Sequence, residues 1–149
     1  MISVLRWYAE EGKRAYGRVI PARVPGVRQM VVKEPVGPCC AFVAWNFPGN
    51  NAIRKIAGAL AAGCSIVIKP SEETPGTAVA MARCFQDAGL PPGVLNVVFG
   101  VPEEVSKHVL GSWIPRKLSF TGSVPVGIHL QKLAAETVSY THLTLPTKA

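Results

Sequence analysis

Apolar side chains recur at three- and four-residue spacing through residues 2–16, where Leu5, Tyr8, Ala9, Gly12, Ala15 and Tyr16 fall on one face. That period predicts an amphipathic helix, with Gly17 placed to end it. The pattern then changes. Val19–Ile20 and Met30–Val32 are short β-type runs set around Pro21, Pro25 and Gly26, which predicts a hairpin or arm with a loose turn.

From Val36 the pattern becomes regular. Cys39–Trp45 reads as a strand, the Ala-rich stretch Asn51–Ala62 as a helix, and Ser65–Ile68 as a second strand. Thr74-Pro75 reads as an N-cap followed by proline at the first helical position. The helix it opens carries Ala78, Met81, Ala82 and Phe85 on one face, and Gly89 with Pro91-Pro92 stops it. Val94–Phe99 is a third strand, Pro102–Leu110 a short helix, Lys117–Phe120 a fourth strand and Val124–Ala135 a fourth helix. The strands begin near 39, 64, 94 and 117, and each interval holds one strand–helix–strand unit. Four strands alternating with helices predict an α/β fold, a Rossmann-like parallel sheet with helices on both faces and right-handed crossovers.

Composition narrows the class. The chain has 149 residues, 48% apolar and 17% charged, which is a globular composition long enough for one core. The longest apolar run, Ile56–Ile68, spans 13 residues with one serine, short of the roughly 20 a membrane helix needs. No membrane segment is expected, and the opening residues lack a signal-peptide core, because Arg6 and Glu10 interrupt it. Cysteines stand at 39, 40, 64 and 84, with no CxxC and no histidine at ligand spacing. This argues against a disulfide scaffold or a metal site, and for reduced thiols in a cytoplasmic protein.

The net charge of +7 is uneven, at +5 over residues 1–33, zero over 34–100 and +2 over 101–149. Most of the excess sits in one N-terminal stretch that alternates with apolar residues, rather than on one basic face. No nucleic-acid partner is expected.

In an open parallel sheet, ligands bind beyond the carboxyl ends of the strands. Those ends here are Trp45-Asn46-Phe47-Pro48, Lys69-Pro70-Ser71-Glu72, Phe99-Gly100 and Phe120-Thr121-Gly122-Ser123, and three of the four carry polar groups. Glu72 and Lys69 can bond the hydroxyls of a ribose, or can form an ordinary surface pair. Gly122 permits a close backbone approach, and Ser123 can cap a helix whose N-terminus attracts phosphate, or the segment is a plain strand-to-helix turn. Gly122 and Gly127 have P-loop spacing, but Ile128-His129 follows where Lys-Ser/Thr would stand, and no G-x-G-x-x-G occurs. Asn46 has an amide NH₂ that can donate to a developing oxyanion, though an asparagine before a proline also simply makes turns.

Taken together and in order, these segments resemble the aldehyde dehydrogenase superfamily. The carriers are EPVG at 34–37, WNFP at 45–48, GALAAGC at 58–64, KPSEETP at 69–75, AGLPPGVLNVV at 88–98 and FTGS at 120–123. WYAEEGKRAYG at 7–17 and Arg54-Lys55 are similar to the succinate-semialdehyde dehydrogenase branch. The resemblance implies an oxidoreductase that takes a small-molecule aldehyde to its acid with NAD, or NADP, as acceptor. It covers residues 1–137, about a third of a family enzyme. By match, Asn46 would help hold the oxyanion, and Lys69 and Glu72, within the Lys69-Pro70-Ser71-Glu72 segment, would contact the adenosine ribose. Gly122 and Ser123 match the pyrophosphate turn, with Gly127 one turn further on as a further cofactor-binding candidate, the Trp45 backbone would touch the cofactor, and Arg54 would meet a substrate carboxylate. The arm at 18–34 matches part of the family's oligomerisation hairpin, which implies a homo-oligomeric enzyme.

The implied organisation is an N-terminal helix at 1–17, a partial oligomerisation arm at 18–36, an incomplete cofactor-binding α/β domain at 37–137 and a foreign tail at 138–149. Ala44 stands where the family has proline before WNFP, and Ile128 where a lysine is usual. After Thr137 the family runs through a strand to a Glu-Leu-Gly-Gly segment with the general base, whereas here the chain reads VSYTHLTLPTKA. No cysteine takes the nucleophile's place. Cys39 and Cys40 start a strand, Cys64 enters one and Cys84 lies within a helix, so all four read as small buried hydrophobes. The expected function is thus a cofactor cradle and oxyanion donor without nucleophile or base. The alternative is a non-catalytic nucleotide-binding or interaction module.

Overall fold

A computed structural model describes residues 1–137 and 140–144. Helix α1 (Ile2–Gly12) leads into β1 (Arg18–Ile20) and β2 (Gln29–Val31), followed by β3 (Cys39–Val43), α2 (Pro48–Ala61), β4 (Ile66–Lys69) and α3 (Pro75–Asp87). Then come β5 (Leu95–Val97), α4 (Pro102–Leu110), β6 (Lys117–Thr121), α5 (Val124–Ala134) and β7 (Tyr140–Thr144). β1 and β2 pair antiparallel, Val19 opposite Met30, as the arm that the two β-type runs predict. The other five strands form one parallel sheet in the order β5-β4-β3-β6-β7.

Alternation along the central strand sorts the core into two layers. Cys39, Ala41 and Val43 pack with Ala52, Ile53 and Ile56 of α2 and Met81 of α3. Cys40 and Phe42 face the other way, with Leu118 and Phe120 of β6, Leu110 of α4 and Leu130 of α5. Every β3 residue is buried, because successive side chains point to opposite faces and helices cover both. Proline opens α2, α3, α4 and α5 in the first helical turn, where its missing N–H leaves nothing unpaired.

The structure corrects several sequence expectations. α1 stops at Gly12 rather than at Gly17. Val4 and Leu5 pack against the α2 side of the core, while Ala15 and Tyr16 are exposed and have no surface to bury against. Thr74 occupies the N-cap of α3 but makes no capping bond, and its buried Oγ1 has no partner among the described residues. Gly89 ends α3 as expected, with a φ of +86° that a side chain would oppose.

A fifth core strand, β7, joins the four that the pattern predicts. It pairs with β6 from Lys117 opposite Tyr140 to Thr121 opposite Thr144. It lies within the stretch read as a foreign tail, whose remaining residues 138, 139 and 145–149 fall outside the described residues. Its residues form no apolar run, so backbone pairing with the β6 edge makes it a strand, and that partner is remote in sequence. Among the described residues no helix is long and apolar enough to cross a membrane.

Candidate functional site

The chain runs from β3 outward through β4 to β5, then returns to place β6 on the other side of β3. The strand order reverses there, and helices leave to opposite faces, which opens a crevice beyond the strand ends. A cleft of about 600 Å³ lies there. Trp45 lines it from the end of β3, Lys69, Ser71 and Glu72 from the end of β4, and Gly122 and Ser123 from the end of β6. The topology thus collects at one place three segments that the sequence separates by tens of residues.

Lys69 is a buried lysine at the last position of β4, 6% exposed. Its ammonium donates to the Glu72 carboxylate and, at 3.3 Å, to the backbone oxygen of Pro70. Burial alone would raise the Glu72 carboxyl, but the bond from Lys69, a bond from its own backbone N–H and the lysine charge outweigh it and hold the carboxyl below its ordinary range. Pro70 turns the chain between them and does not itself line the cleft.

At the end of β6, Gly122 is required by close approach. A Cβ there would lie 2.5 Å from Cζ of Phe120, whose ring is buried. Ser123 takes the N-cap position of α5 in extended conformation, yet its hydroxyl makes no capping bond, a correction to the expected cap. Ser123 lines the cleft along with Val126 of the first turn of α5. Gly127 does not line the cleft. It is buried on the sheet side of α5, its N–H bonded to the Ser123 oxygen at 3.0 Å.

Asn46 and Arg54 stand elsewhere. Asn46 is exposed in the turn between β3 and α2, and its Oδ1 accepts a bond from Asn51 Nδ2 at 3.3 Å. Arg54 is exposed on α2 and borders a second cavity of about 570 Å³ on the α2 side of the sheet, together with Asn51, Lys55 and Lys117. Thr121 borders both cavities, so they meet at the end of β6.

Lys55, which the sequence marks only as part of the Arg54-Lys55 resemblance and gives no role in a site, borders this second cavity beside Arg54. Burial, and then the charge of Lys117, push its ammonium down to about 8. It donates to the Ser119 hydroxyl at 3.0 Å. The available signal is its position three residues after Ala52, on the apolar side of α2.

The sequence profile of the aldehyde dehydrogenase family matches residues 1–149. The chain belongs to the aldehyde dehydrogenase family. It is 55% identical over 132 residues to a 4-(hydroxymethyl)benzenesulfonate dehydrogenase of Comamonas testosteroni, covering 89% of this chain and 28% of that protein. It is 48% identical over 143 residues to the mitochondrial succinate-semialdehyde dehydrogenase of Arabidopsis thaliana, covering 96% and 27%. Among solved structures, the succinate-semialdehyde dehydrogenase of Burkholderia pseudomallei superposes with a TM-score of 0.95 at 48% identity, covering 99% of this chain and 30% of that one. The chain therefore spans less than a third of the length of these relatives.

Aldehyde dehydrogenases use NAD or NADP. Relatives of this chain include an NADP-dependent succinate-semialdehyde dehydrogenase of Escherichia coli and a betaine aldehyde dehydrogenase solved with NAD+. The cleft fits such a dinucleotide in kind. It joins a backbone approach cleared of any Cβ at Gly122, the start of α5 where Ser123 makes no capping bond, and a carboxylate beside a buried ammonium. Bound there, the nicotinamide would accept a hydride from the substrate carbon.

Three of the four cysteines sit at the far end of the sheet. Cys39 and Cys40 begin β3 and Cys64 precedes β4, at the end opposite the cleft. Burial, with Cys64 alongside, pushes the Cys39 thiol up to about 11, and burial with Cys39 alongside pushes Cys40 up to about 12. These three are buried as expected. Cys84 is the correction, exposed because it lies on the solvent side of α3 away from Ala78 and Met81.

Proposed function

We propose that this chain is the cofactor-binding portion of an NAD-dependent aldehyde dehydrogenase that oxidises an aldehyde with an anionic far end, succinate semialdehyde or a similar compound, to its acid. NAD rather than NADP is the proposed acceptor. Glu72 offers a carboxylate to a ribose 2′-hydroxyl and would repel a 2′-phosphate. The observation that carries the reading is the cleft at the sheet's reversal point, where Lys69–Glu72 and Gly122-Ser123 meet.

In this reading Lys69 and Glu72 hold the adenosine ribose, with Pro70 and Ser71 shaping their turn. Gly122, Ser123 and the start of α5 take the pyrophosphate, Gly127 lets α5 pack closely on the sheet, and the Trp45 backbone borders the cofactor. The Asn46 amide donates to the carbonyl oxygen as negative charge develops on it. The second cavity suits an anionic substrate tail. Arg54, Lys55 and Lys117 border it, against the one carboxylate of Glu34. Curated relatives named for succinate semialdehyde, 3-sulfolactaldehyde and 4-(hydroxymethyl)benzenesulfonate have such tails.

Residues 1–17, 18–36 and 37–137 then correspond to the entry helix, part of an oligomerisation arm and the cofactor domain, and the intact enzyme is a homo-oligomer. The test is titration of the chain with NAD, followed by Trp fluorescence or calorimetry. Saturable binding that Glu72→Ala weakens is expected. Absence of any nucleotide binding by a folded chain would sink the reading. A second reading, a nucleotide-binding module without catalysis, draws on the three buried thiols lying at the opposite end of the sheet from the cleft. Sequencing the locus beyond codon 138 separates the two, since a dehydrogenase requires a downstream cysteine and general base.

A further inference from the structure

An oxyanion donor must present its NH₂ group and not its carbonyl, yet an asparagine amide has nearly the same shape either way round. Something has to choose. In the structure the Nδ2 of Asn51 donates to the Oδ1 of Asn46 at 3.3 Å. An NH₂ group can only donate, so its partner must turn its oxygen toward it. The Nδ2 of Asn46 is then directed away from Asn51.

Asn51 is well placed for this. It sits in the first turn of α2, with its own N–H bonded to the Phe47 oxygen at 2.8 Å. Pro48 opens that turn with a fixed φ. Helical side chains lean toward the N-terminus, so a residue in the first turn reaches back to the segment that precedes the helix. Asn51 is half-buried and borders the cavity that holds Arg54 and Thr121. It therefore bonds the Asn46 amide and also borders the space assigned above to the substrate tail. The sequence pattern did not single it out.

We propose that Asn51 is a positioning residue that fixes the Asn46 amide in its donating orientation. The proposal rests on the reading of Asn46 as the oxyanion donor, and the experiment separates the two. In the full-length dehydrogenase, Asn46→Ala, Asn51→Ala, Asn51→Asp and the Asn46→Ala/Asn51→Ala pair are compared for kcat, aldehyde KM, NAD affinity and thermal midpoint. Asn46→Ala should lower kcat about 100- to 1,000-fold. Asn51→Ala should lower kcat about 5- to 10-fold, the effect of one hydrogen bond, with KM, NAD affinity and midpoint unchanged. Asn51→Asp should lower kcat further than Asn51→Ala, because a carboxylate accepts from the Asn46 NH₂ and takes away the donor. The double variant should match Asn46→Ala alone, since no donor remains to be oriented. A normal kcat for Asn51→Ala, fully multiplicative losses in the pair, or an aspartate no worse than alanine would each overturn the role of Asn51 while leaving Asn46 in place. A normal kcat for Asn46→Ala would overturn the oxyanion reading itself.

Discussion

A methyl group added at Gly122 would meet the ring of Phe120, at 2.5 Å from Cζ and 2.9 Å from Cε2. Phe120 is 4% exposed and belongs to the core cluster with Leu118 and Leu130, so the ring must shift against packed neighbours or into the cleft it borders. The glycine that follows β6 is thus set by the core behind it. Gly122→Ala should cost about 1–3 kcal/mol, as overpacking does, even with no nucleotide present. Urea unfolding of the chain measures this, and an unchanged midpoint would show that Phe120 yields.

Glu72 carries two expectations. The first concerns the cofactor. The wild type should prefer NAD to NADP, and Glu72→Ser should narrow that preference by weakening NAD and admitting the 2′-phosphate. Paired dissociation constants for the two dinucleotides decide it, and a wild-type preference for NADP would contradict the role given to the carboxylate.

The second concerns pH. The folded Glu72 carboxyl titrates below its ordinary 4.5. A depressed carboxyl contributes stability that is complete above the unfolded value and is lost as pH falls through the folded one. The Lys69–Glu72 pair should therefore stabilise the chain at neutral pH and stop doing so in acid, below about 4.5. Glu72→Gln should flatten the acid limb of a stability–pH curve while leaving the alkaline limb alone.

Lys55 works in the opposite range. Its folded value is about 8 against an ordinary 10.5. Between these values the unfolded chain holds a proton that the folded chain has released, so stability should rise with pH across that window. Lys55→Met should remove the rise and make the chain more stable at pH 7, where the native ammonium is buried at a cost. Denaturant unfolding of both proteins at pH 7 and 10 provides the comparison. A wild-type curve that falls over this interval would be incompatible with a depressed lysine.

Arg54 borders the cavity given to the substrate's anionic end. In the full-length enzyme Arg54→Ala should raise KM for succinate semialdehyde about 10-fold or more, in line with a charge-assisted bond, and change KM little for an uncharged aldehyde. Equal effects on both aldehydes would remove Arg54 from the site.

The isolated chain should oxidise no aldehyde at saturating NAD, because its three buried thiols lie opposite the cleft and two of them titrate near 11 and 12. NADH absorbance follows this directly. Turnover lost on Cys39→Ser or Cys40→Ser would place a nucleophile where the structure places core.

Local signals in the sequence determined much of this protein. The 3.6-residue period located the helices and short apolar runs the four core strands, and prolines and glycines marked helix ends. Polar groups at three strand ends marked the ligand side, because parallel strands all present their carboxyl ends together. Elements whose fate depends on remote neighbours were decided only by the tertiary structure. The order β5-β4-β3-β6-β7, which places the reversal beside Trp45 and Gly122, comes from strand pairing across tens of residues. β7 exists because the β6 edge supplies its backbone partners. α1 ends at Gly12 because nothing lies beyond it for Ala15 and Tyr16 to cover. Lys55 loses its ordinary basicity, and Asn51 meets Asn46, only once α2 is seated on the sheet behind Pro48. Burial, charge and hydrogen-bond partnership belong to positions in space, and a periodic pattern records only which face of an element points inward.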